Sequence, residues 1–207
     1  EVMLLGPDGD RLYVANSDSD TVSVIDLASR TLIETVSIRL WHPTLRGRSP
    51  NHLALSPDEL SLLVTSPGVN AIEVFDLATL DHLGSIPTGW YPTALAFSPA
   101  TEELYVLNLK GVGAGPSEGD QPADLMRGNL QITALPDAAG LAAGREVVIA
   151  NNSRMLQLEP TLTCDATPGV FPVPVALGMP TPIEHVVLIV RENKTYDVEL
   201  GDTDLED

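Results

Sequence analysis

The sequence predicts an all-β protein in which a unit of four short antiparallel strands is repeated about three times. A segment of 22 residues recurs without a gap at a spacing of 50 residues. Within each copy, apolar residues alternate with polar ones, as they do in strands that have one buried face. Four antiparallel strands recurring every roughly 40–50 residues are the signature of a propeller blade. The predicted fold is therefore a partial β-propeller of about three four-stranded blades.

The repeat defines the blades. Its first two copies are residues 6–27 and 56–77, and a third begins at residue 98. The matching pairs in the first two copies are Pro7 and Pro57, Leu12 and Leu62, Val14 and Val64, and Asp26 and Asp76. The third copy keeps Pro99, Leu104, Val106 and Asn108, and its Leu130 and Ile132 stand where Val22 and Val24 stand in the first. We predict blades at about residues 1–40, 50–89 and 91–137.

The second strand of each copy carries a family resemblance. Tyr13–Asn16 reads Tyr-Val-Ala-Asn and Tyr105–Asn108 reads Tyr-Val-Leu-Asn, whereas the middle copy departs from this pattern as Leu63–Ser66. These segments resemble the YVTN-type β-propeller repeat, and the resemblance covers about residues 1–137. It implies the fold but no activity, since propellers have many functions.

Three blades are too few for a closed ring, which normally takes about four to eight. A stack of three leaves strand edges unpaired and an apolar face uncovered. We therefore expect this chain to be a fragment of a longer parent protein, whose remaining blades precede it.

The third copy is interrupted and then gives way to another pattern. Residues 109–128 contain five glycines and two prolines, which indicates a surface loop, and no helix follows the glycines as a phosphate-binding loop requires. Residues 137–152 are alanine-rich, with Asp137 as a candidate N-cap and apolar Leu141 and Val148, and predict a short helix. Six prolines in residues 153–183 suit an extended linker, so 138–181 is predicted as helix and linker.

Composition excludes several partners. The formal charge of −18 argues against nucleic acid and anionic membranes, because a phosphate backbone needs clustered Lys and Arg. No apolar run reaches the roughly 20 residues of a membrane span. The single cysteine, Cys164, excludes an internal disulfide and a cysteine-based zinc cluster.

Several residues of chemical interest have a simpler structural interpretation. The four histidines have no mutual spacing of metal ligands, and we expect them at the surface or in packing: His42, His52, His82 and His185. Asp18 and Asp20 could contact calcium, but a turn is the favoured interpretation. Trp41 and Trp90, each near a proline at the entry to a blade, predict packing between blades rather than a ligand platform. No Ser-His-Asp set can be assembled.

The C-terminal segment predicts the beginning of a second domain at residues 182–207. The run Val186–Val190 is apolar on both faces, which suits a central strand of an α/β sheet. Ligands collect at the carboxyl ends of such strands, and Glu192 and Asn193 lie there. A carboxylate and an amide oxygen are hard donors that suit a divalent metal.

This segment resembles the opening motif of the phosphoesterase family within the alkaline phosphatase superfamily, which includes bacterial phospholipases C and acid phosphatases. That motif reads Glu-Asn-Arg-Ser/Thr-Phe/Tyr-Asp, and residues 192–197 match it except for Lys194 in place of arginine. The resemblance implies that Glu192 and Asn193 bind a divalent metal that acts on a phosphate ester. It also implies that the Ser or Thr nucleophile and the further Asp and His ligands follow in the parent protein. No catalytic residue is therefore assigned within the 207 residues, and we expect them to be inactive alone.

Whether the parent is an enzyme is left open by the sequence. The alternative is a non-enzymatic propeller used as a binding or scaffold module, with the C-terminal segment as a linker. The family resemblance implies export to the periplasm or the exterior of a bacterium. The expected partners are the remaining blades, the phosphoesterase domain and a phosphate-ester substrate.

Overall fold

The computed structural model describes residues 2–40, 47–112, 127–157, 183 and 185–187. Within them, eleven strands form three antiparallel sheets. The first sheet contains β1 (Met3–Leu5), β2 (Arg11–Asn16), β3 (Thr21–Asp26) and β4 (Thr31–Ser37). The second contains β5 (Leu53–Leu55), β6 (Ser61–Ser66), β7 (Ala71–Asp76) and β8 (His82–Pro87). The third contains β9 (Pro92–Phe97), β10 (Leu104–Asn108) and β11 (Asn129–Thr133).

Each sheet is a simple up-and-down meander, which confirms the predicted all-β fold of three propeller blades. In the first two sheets the strands pair in sequence order, and the registers of β2 with β3 and of β6 with β7 correspond residue for residue at the repeat spacing. The alternation of apolar residues produces this equivalence, because a slip of one residue would turn every buried side chain outward. We refer to the three sheets as blades 1, 2 and 3.

The order of the strands defines the geometry of each blade. The first strands are the inner ones, because β5 contacts both β1 and β9. Antiparallel pairing then places the loop residues 17–20, 38–40, 47–52, 67–70 and 88–91 at one end of the blades, called here the upper end. The turns at residues 6–10, 27–30, 56–60, 77–81 and 98–103 lie at the lower end.

The repeated aspartates Asp26 and Asp76 shape two of the lower turns. Asp26 Oδ1 accepts from the backbone N–H of Ser29, and Asp76 Oδ1 accepts from those of Ala78 and Thr79. Such local bonds to backbone amides are the usual reason for aspartate in turns. The first two copies of the repeat therefore share the aspartate that forms this turn as well as the pattern of strands.

Two apolar cores lie between successive blades. Between blades 1 and 2, Tyr13 and Val24 pack with Leu62 and Phe75, all essentially buried. Between blades 2 and 3, a second cluster joins Leu63, Ile72, Val74 and Ile86 with Leu95, Leu104 and Val106. Blade 2 is thus covered on both faces, which explains why nearly every residue of β6 and β7 is buried.

Blade 3 differs from the prediction of four strands. After β11 the described chain forms no fourth strand, and helix α1 (Ala138–Gln157) begins instead. Asp137 caps the helix as predicted, because its Oδ1 accepts from the backbone N–H of Gly140 at 2.8 Å. The helix extends five residues beyond its predicted end. Its predicted apolar residues, Leu141 and Val148, are both buried.

Helix α1 packs closely against blade 2. A Cβ placed on Gly144 would lie 2.1 Å from the carbonyl oxygen of Ser85, and one placed on Gly84 would lie 2.5 Å from that of Leu141. Both glycines therefore allow the backbones of helix and strand to touch. Leu141 also joins the core between blades 2 and 3, so the helix occupies the outer part of that cleft.

The chain divides into two units, Glu1–Asn152 and Ser153–Asp207. The first holds the blades and most of α1, and little of the second is described. No helix in the described part of the chain is both long and apolar enough to cross a membrane.

Candidate functional site

The predicted metal ligands Glu192 and Asn193 lie outside the described residues. Of the strand predicted before them, the structure describes His185, Val186 and Val187, which are exposed and belong to no strand. The rest of the predicted strand, residues 188–190, lies outside the described residues, so the buried strand stays a prediction. A central strand needs a paired neighbour on each edge, and these residues have no strand partner among the described residues.

A cluster of buried polar groups lies on the side of blade 2 that faces blade 1. At its centre is Glu73 on β7, which is fully buried. Glu73 Oε2 accepts a hydrogen bond from Ser85 Oγ at 2.5 Å and lies 2.9 Å from His82 Nε2. The His82 ring also packs against Phe75, with ring centroids 5.3 Å apart. Ser85 and His82 lie on β8, so the carboxylate ties the two outer strands of blade 2 together.

Arg48 brings a positive charge to the same place. It lies in the loop between blades 1 and 2, and only 2% of it is exposed. Its carbonyl oxygen accepts from the backbone N–H of Gly68, which holds the loop against blade 2. Burial lowers the pKa of Arg48, while the negative charges of Glu73 and Asp20 act in the opposite direction. A buried guanidinium therefore lies in the field of two buried carboxylates.

Asp20 fastens this loop to blade 1. It ends the β2–β3 turn with a positive φ of 56° and is 1% exposed. Its carboxylate accepts from the backbone N–H groups of Gly47 (2.9 Å) and Ser49 (3.0 Å) and from Arg39 Nε (3.2 Å). Burial raises the pKa of Asp20, but these donors outweigh it, so the pKa is lower than its ordinary value of 3.8.

A similar contact between a turn residue and the following loop recurs between blades 2 and 3, where the turn residue is uncharged. Asn70 occupies the position of Asp20 in the repeat and has nearly the same φ, 55°. Its Oδ1 accepts from the backbone N–H of Tyr91 at 2.9 Å, in the loop that enters blade 3. The two backbone carbonyls also act alike, since that of Asp20 accepts from Ile38 and that of Asn70 from Thr88. We call Asp20 and Asn70 the blade clamps.

The structure settles several predictions about single residues. Asp18 is exposed in the turn that Asp20 ends, as the turn interpretation predicts. Trp90 does not pack between blades, since half of it is exposed. Its backbone N–H donates to the carbonyl oxygen of Gly111, and its backbone carbonyl accepts from the N–H of Lys110. Trp41 and His42 lie outside the described residues.

The three described histidines have different surroundings. His52 lies in the strand entry of blade 2, and burial lowers its pKa. His82 contacts Glu73, and His185 is exposed. Among the described residues, no group of three or more His, Cys, Asp or Glu side chains could hold a metal ion.

A shallow cleft of about 340 Å³ lies at the lower end between blades 1 and 2. Its polar lining is mainly carboxylate, from Asp8, Asp10, Glu59 and Asp76, with Arg11 as the one described cation among its lining residues. This surface has the wrong sign for a phosphate backbone, in agreement with the charge of the whole chain.

Sequence analysis missed Glu73 and Arg48. A signal for Glu73 was present, because the phase of the repeat assigns it to a buried face of β7, where the first copy has the small Ser23. Arg48 gave no comparable signal, since it lies in a loop outside the repeated segment. This cluster holds two blades together, and its groups are buried rather than open to a substrate.

No protein-family model matches the chain, and no curated protein matches it. Solved structures do resemble it in part. Hydrazine synthase of Kuenenia stuttgartiensis has a TM-score of 0.45 and 21% identity, covering 52% of this chain and 28% of that one. A putative 6-phosphogluconolactonase from Bacteroides fragilis has a TM-score of 0.45 and 24% identity, covering 51% and 31%. The WD40 repeats of RRP9 have a TM-score of 0.42 and 20% identity, covering 50% and 31%.

The chain thus spans about 28–31% of the length of these structures.

Proposed function

We propose that the chain is part of a bacterial two-domain protein in which a β-propeller is joined to a metal-dependent phosphoesterase, a hydrolase acting on phosphate ester bonds. The observation that supports this is the motif at residues 192–197 directly after the apolar run Val186–Val190. The blades described above are the propeller part of this protein. The proposal also includes export to the periplasm or the cell exterior, as in the family that the motif resembles.

The donor chemistry of the motif fits a divalent metal. Glu192 offers a carboxylate and Asn193 an amide oxygen, both hard donors suited to a cation that must hold a phosphate. Two donors are fewer than a complete coordination sphere, so the remaining ligands and the nucleophile are assigned to further residues of the parent. The metal, when bound, supplies Lewis-acid activation of the phosphoryl group. Glu192 and Asn193 contribute charge and orientation at one edge of that site.

The test compares the complete parent protein with the 207-residue chain. We expect the parent to hydrolyse p-nitrophenyl phosphate when a divalent metal is added, and the chain alone to be inactive. Glu192→Gln in the parent should lower both bound metal, measured by inductively coupled plasma mass spectrometry, and turnover. The loss in turnover should exceed the roughly 10–100-fold cost of removing an outer-shell partner of a metal site.

Glu199→Gln, outside the motif, is the matched control and should leave metal content and turnover unchanged. Equal metal binding and activity in the Glu192→Gln protein would refute the assignment of the site.

The second candidate function is a non-enzymatic binding or scaffold propeller. It is favoured by the described residues, whose buried polar groups build joints between blades. The same experiment separates the two. A parent protein that neither binds metal nor hydrolyses phosphate esters supports the scaffold.

A further inference from the structure

The loops that enter blades 2 and 3 are equivalent in sequence and in backbone structure. They read Gly-Arg-Ser-Pro at residues 47–50 and Gly-Trp-Tyr-Pro at residues 89–92. In each loop the third residue has a positive φ, of 53° in the first loop and 61° in the second, and donates its backbone N–H to a blade clamp. The second residues of the two loops, Arg48 and Trp90, therefore occupy the same place in the two joints.

The exposure of these two side chains is the reverse of what their polarity predicts. Arg48 is 2% exposed, whereas Trp90 is 51% exposed. A buried charge and an exposed large apolar side chain are the observations that carry information in a folded protein. The backbone does not impose the difference, because both loops are held alike: the carbonyl of Arg48 accepts from Gly68, and that of Trp90 from the equivalent Lys110.

The joint between blades 2 and 3 does not use the side chain of Trp90. Gln131 of β11 stands at the repeat position of Glu73. Its Oε1 accepts from the backbone N–H of Gly89 at 3.2 Å, and its Nε2 donates to the carbonyl oxygen of Pro87 at 3.1 Å. Gln131 thus bonds directly to the backbone of the entering loop. The indole is therefore not needed to hold the two blades together.

The backbone that carries Trp90 is ordered before any partner binds. Every backbone N–H from residue 88 to residue 91 donates a hydrogen bond, two of them to Asn70 and the others to Gln131 and Gly111. A side chain presented on such a backbone brings little further loss of conformational entropy on binding. Tryptophan, tyrosine and arginine are enriched among the residues that dominate the free energy of protein–protein binding.

Two cations lie in the loop between β10 and β11, whose Gly111 carbonyl accepts from the N–H of Trp90. Lys110 Nζ lies 4.8 Å from the centroid of the Tyr91 ring, and Arg127 is exposed. We call Trp90, Tyr91, Lys110 and Arg127 the upper aromatic surface. No Asp or Glu occurs in the described upper loops around it, which are residues 67–70, 88–91, 109–112 and 127–128.

We propose that the upper aromatic surface binds an acidic segment of a partner protein. An apolar side chain of that segment lies on the Trp90 indole, and its carboxylates lie at Lys110 and Arg127, a charge complementarity that selects the partner. The net charge of −18 does not prevent this contact, because physiological salt screens charges more than about 8 Å away. The proposal does not depend on the phosphoesterase assignment, since these loops belong to blades 2 and 3.

The probe is a library of random peptides displayed on phage and selected on the immobilised 207-residue chain. We expect the selected peptides to be enriched in Asp and Glu and to share an aliphatic or aromatic side chain. The strongest of them, synthesised and titrated by calorimetry, should bind Trp90→Ser at least about tenfold more weakly than wild type. Lys110→Gln should also weaken binding. Leu60→Ser, at a 65% exposed position in a lower turn, is the control and should bind as wild type does.

Urea denaturation separates the loss of a contact from the loss of the fold. Trp90→Ser should unfold at the same urea concentration as wild type, because the hydrogen bonds of its loop come from the backbone and from other side chains. Equal affinity of wild type and Trp90→Ser overturns the proposal, as does a selection without acidic peptides. Binding of wild type to phosphatidylcholine vesicles that Trp90→Ser loses also overturns it, because the surface would then contact a bilayer.

Discussion

At the scale of single residues, the joints between blades depend on a few side chains that reach across to backbone amides. Asp20 and Asn70 occupy the same place in the repeat and perform the same task with different chemistry. Asn70 accepts one amide, whereas Asp20 accepts two amides and an arginine. The first joint therefore depends on a charged carboxylate, whereas the second depends on an uncharged amide.

We predict that Asp20→Asn lowers the free energy of unfolding by about 1–3 kcal/mol, because an amide nitrogen cannot replace an oxygen that accepts from Gly47 and Arg39. Urea denaturation at pH 7 measures this loss. Asn70→Asp is the matched control and should change stability by less than about 1 kcal/mol, because a carboxylate can accept the same amide of Tyr91.

The pH dependence of the Asp20 contribution follows from its lowered pKa. The ionised carboxylate stabilises the fold fully above the ordinary value of 3.8, and this contribution is lost as the pH falls through the lower folded value. The difference between wild type and Asp20→Asn should therefore shrink below pH 3.8. A difference that stays constant to pH 2 would show that the charge of Asp20 is not what stabilises the joint.

The second residue-scale prediction concerns Glu73. Replacing it by Gln keeps its size but removes the charge of a fully buried carboxylate that contacts His82 and acts electrostatically on the buried Arg48. We expect the free energy of unfolding to fall by about 3 kcal/mol. The exposed Glu34→Gln is the control and should stay within about 0.5 kcal/mol of wild type. Equal stability of the two variants in urea would contradict an electrostatic role for Glu73.

At the scale of elements, helix α1 is fitted to strand β8 through Gly144. Helix propensity alone predicts that Gly144→Ala adds about 1 kcal/mol of stability. The contact with the carbonyl oxygen of Ser85 predicts the opposite, because a Cβ has no room there. We expect the contact to prevail and the variant to unfold at lower urea concentration than wild type.

Ala143→Gly, at the neighbouring exposed position, is the control. It should lower the free energy of unfolding only by the difference in helix propensity, about 1 kcal/mol. A stabilised Gly144→Ala protein would indicate that helix and strand lie further apart than described here.

The elements also show how far sequence analysis reaches. The strands and the cap at Asp137 were predictable, because each depends on residues a few positions apart. The absence of a fourth strand from the described part of blade 3 was not, because it depends on the helix packing into a cleft made by distant residues. The burial of Arg48 was missed for the same reason, since its loop is covered only when blades 1 and 2 dock.

At the scale of the whole molecule, stability should be distributed unevenly over the blades. Blade 2 has both faces covered, and each outer blade has one. We predict that the amides of β6 and β7 exchange with deuterium more slowly than the equivalent amides of β2 and β11, since local opening follows the number of buried apolar contacts. Hydrogen-exchange mass spectrometry measures this. Equal protection in all three blades would contradict it.

The blade clamps have a consequence for how such a chain can grow. Each clamp sits in the second turn of its own blade and holds the loop that leads into the next one. A duplicated gene segment that encodes one blade therefore also encodes the clamp residue that holds the next loop. The new copy then needs no matching change in its neighbours. Repeat number can thus drift in evolution while every junction remains secured.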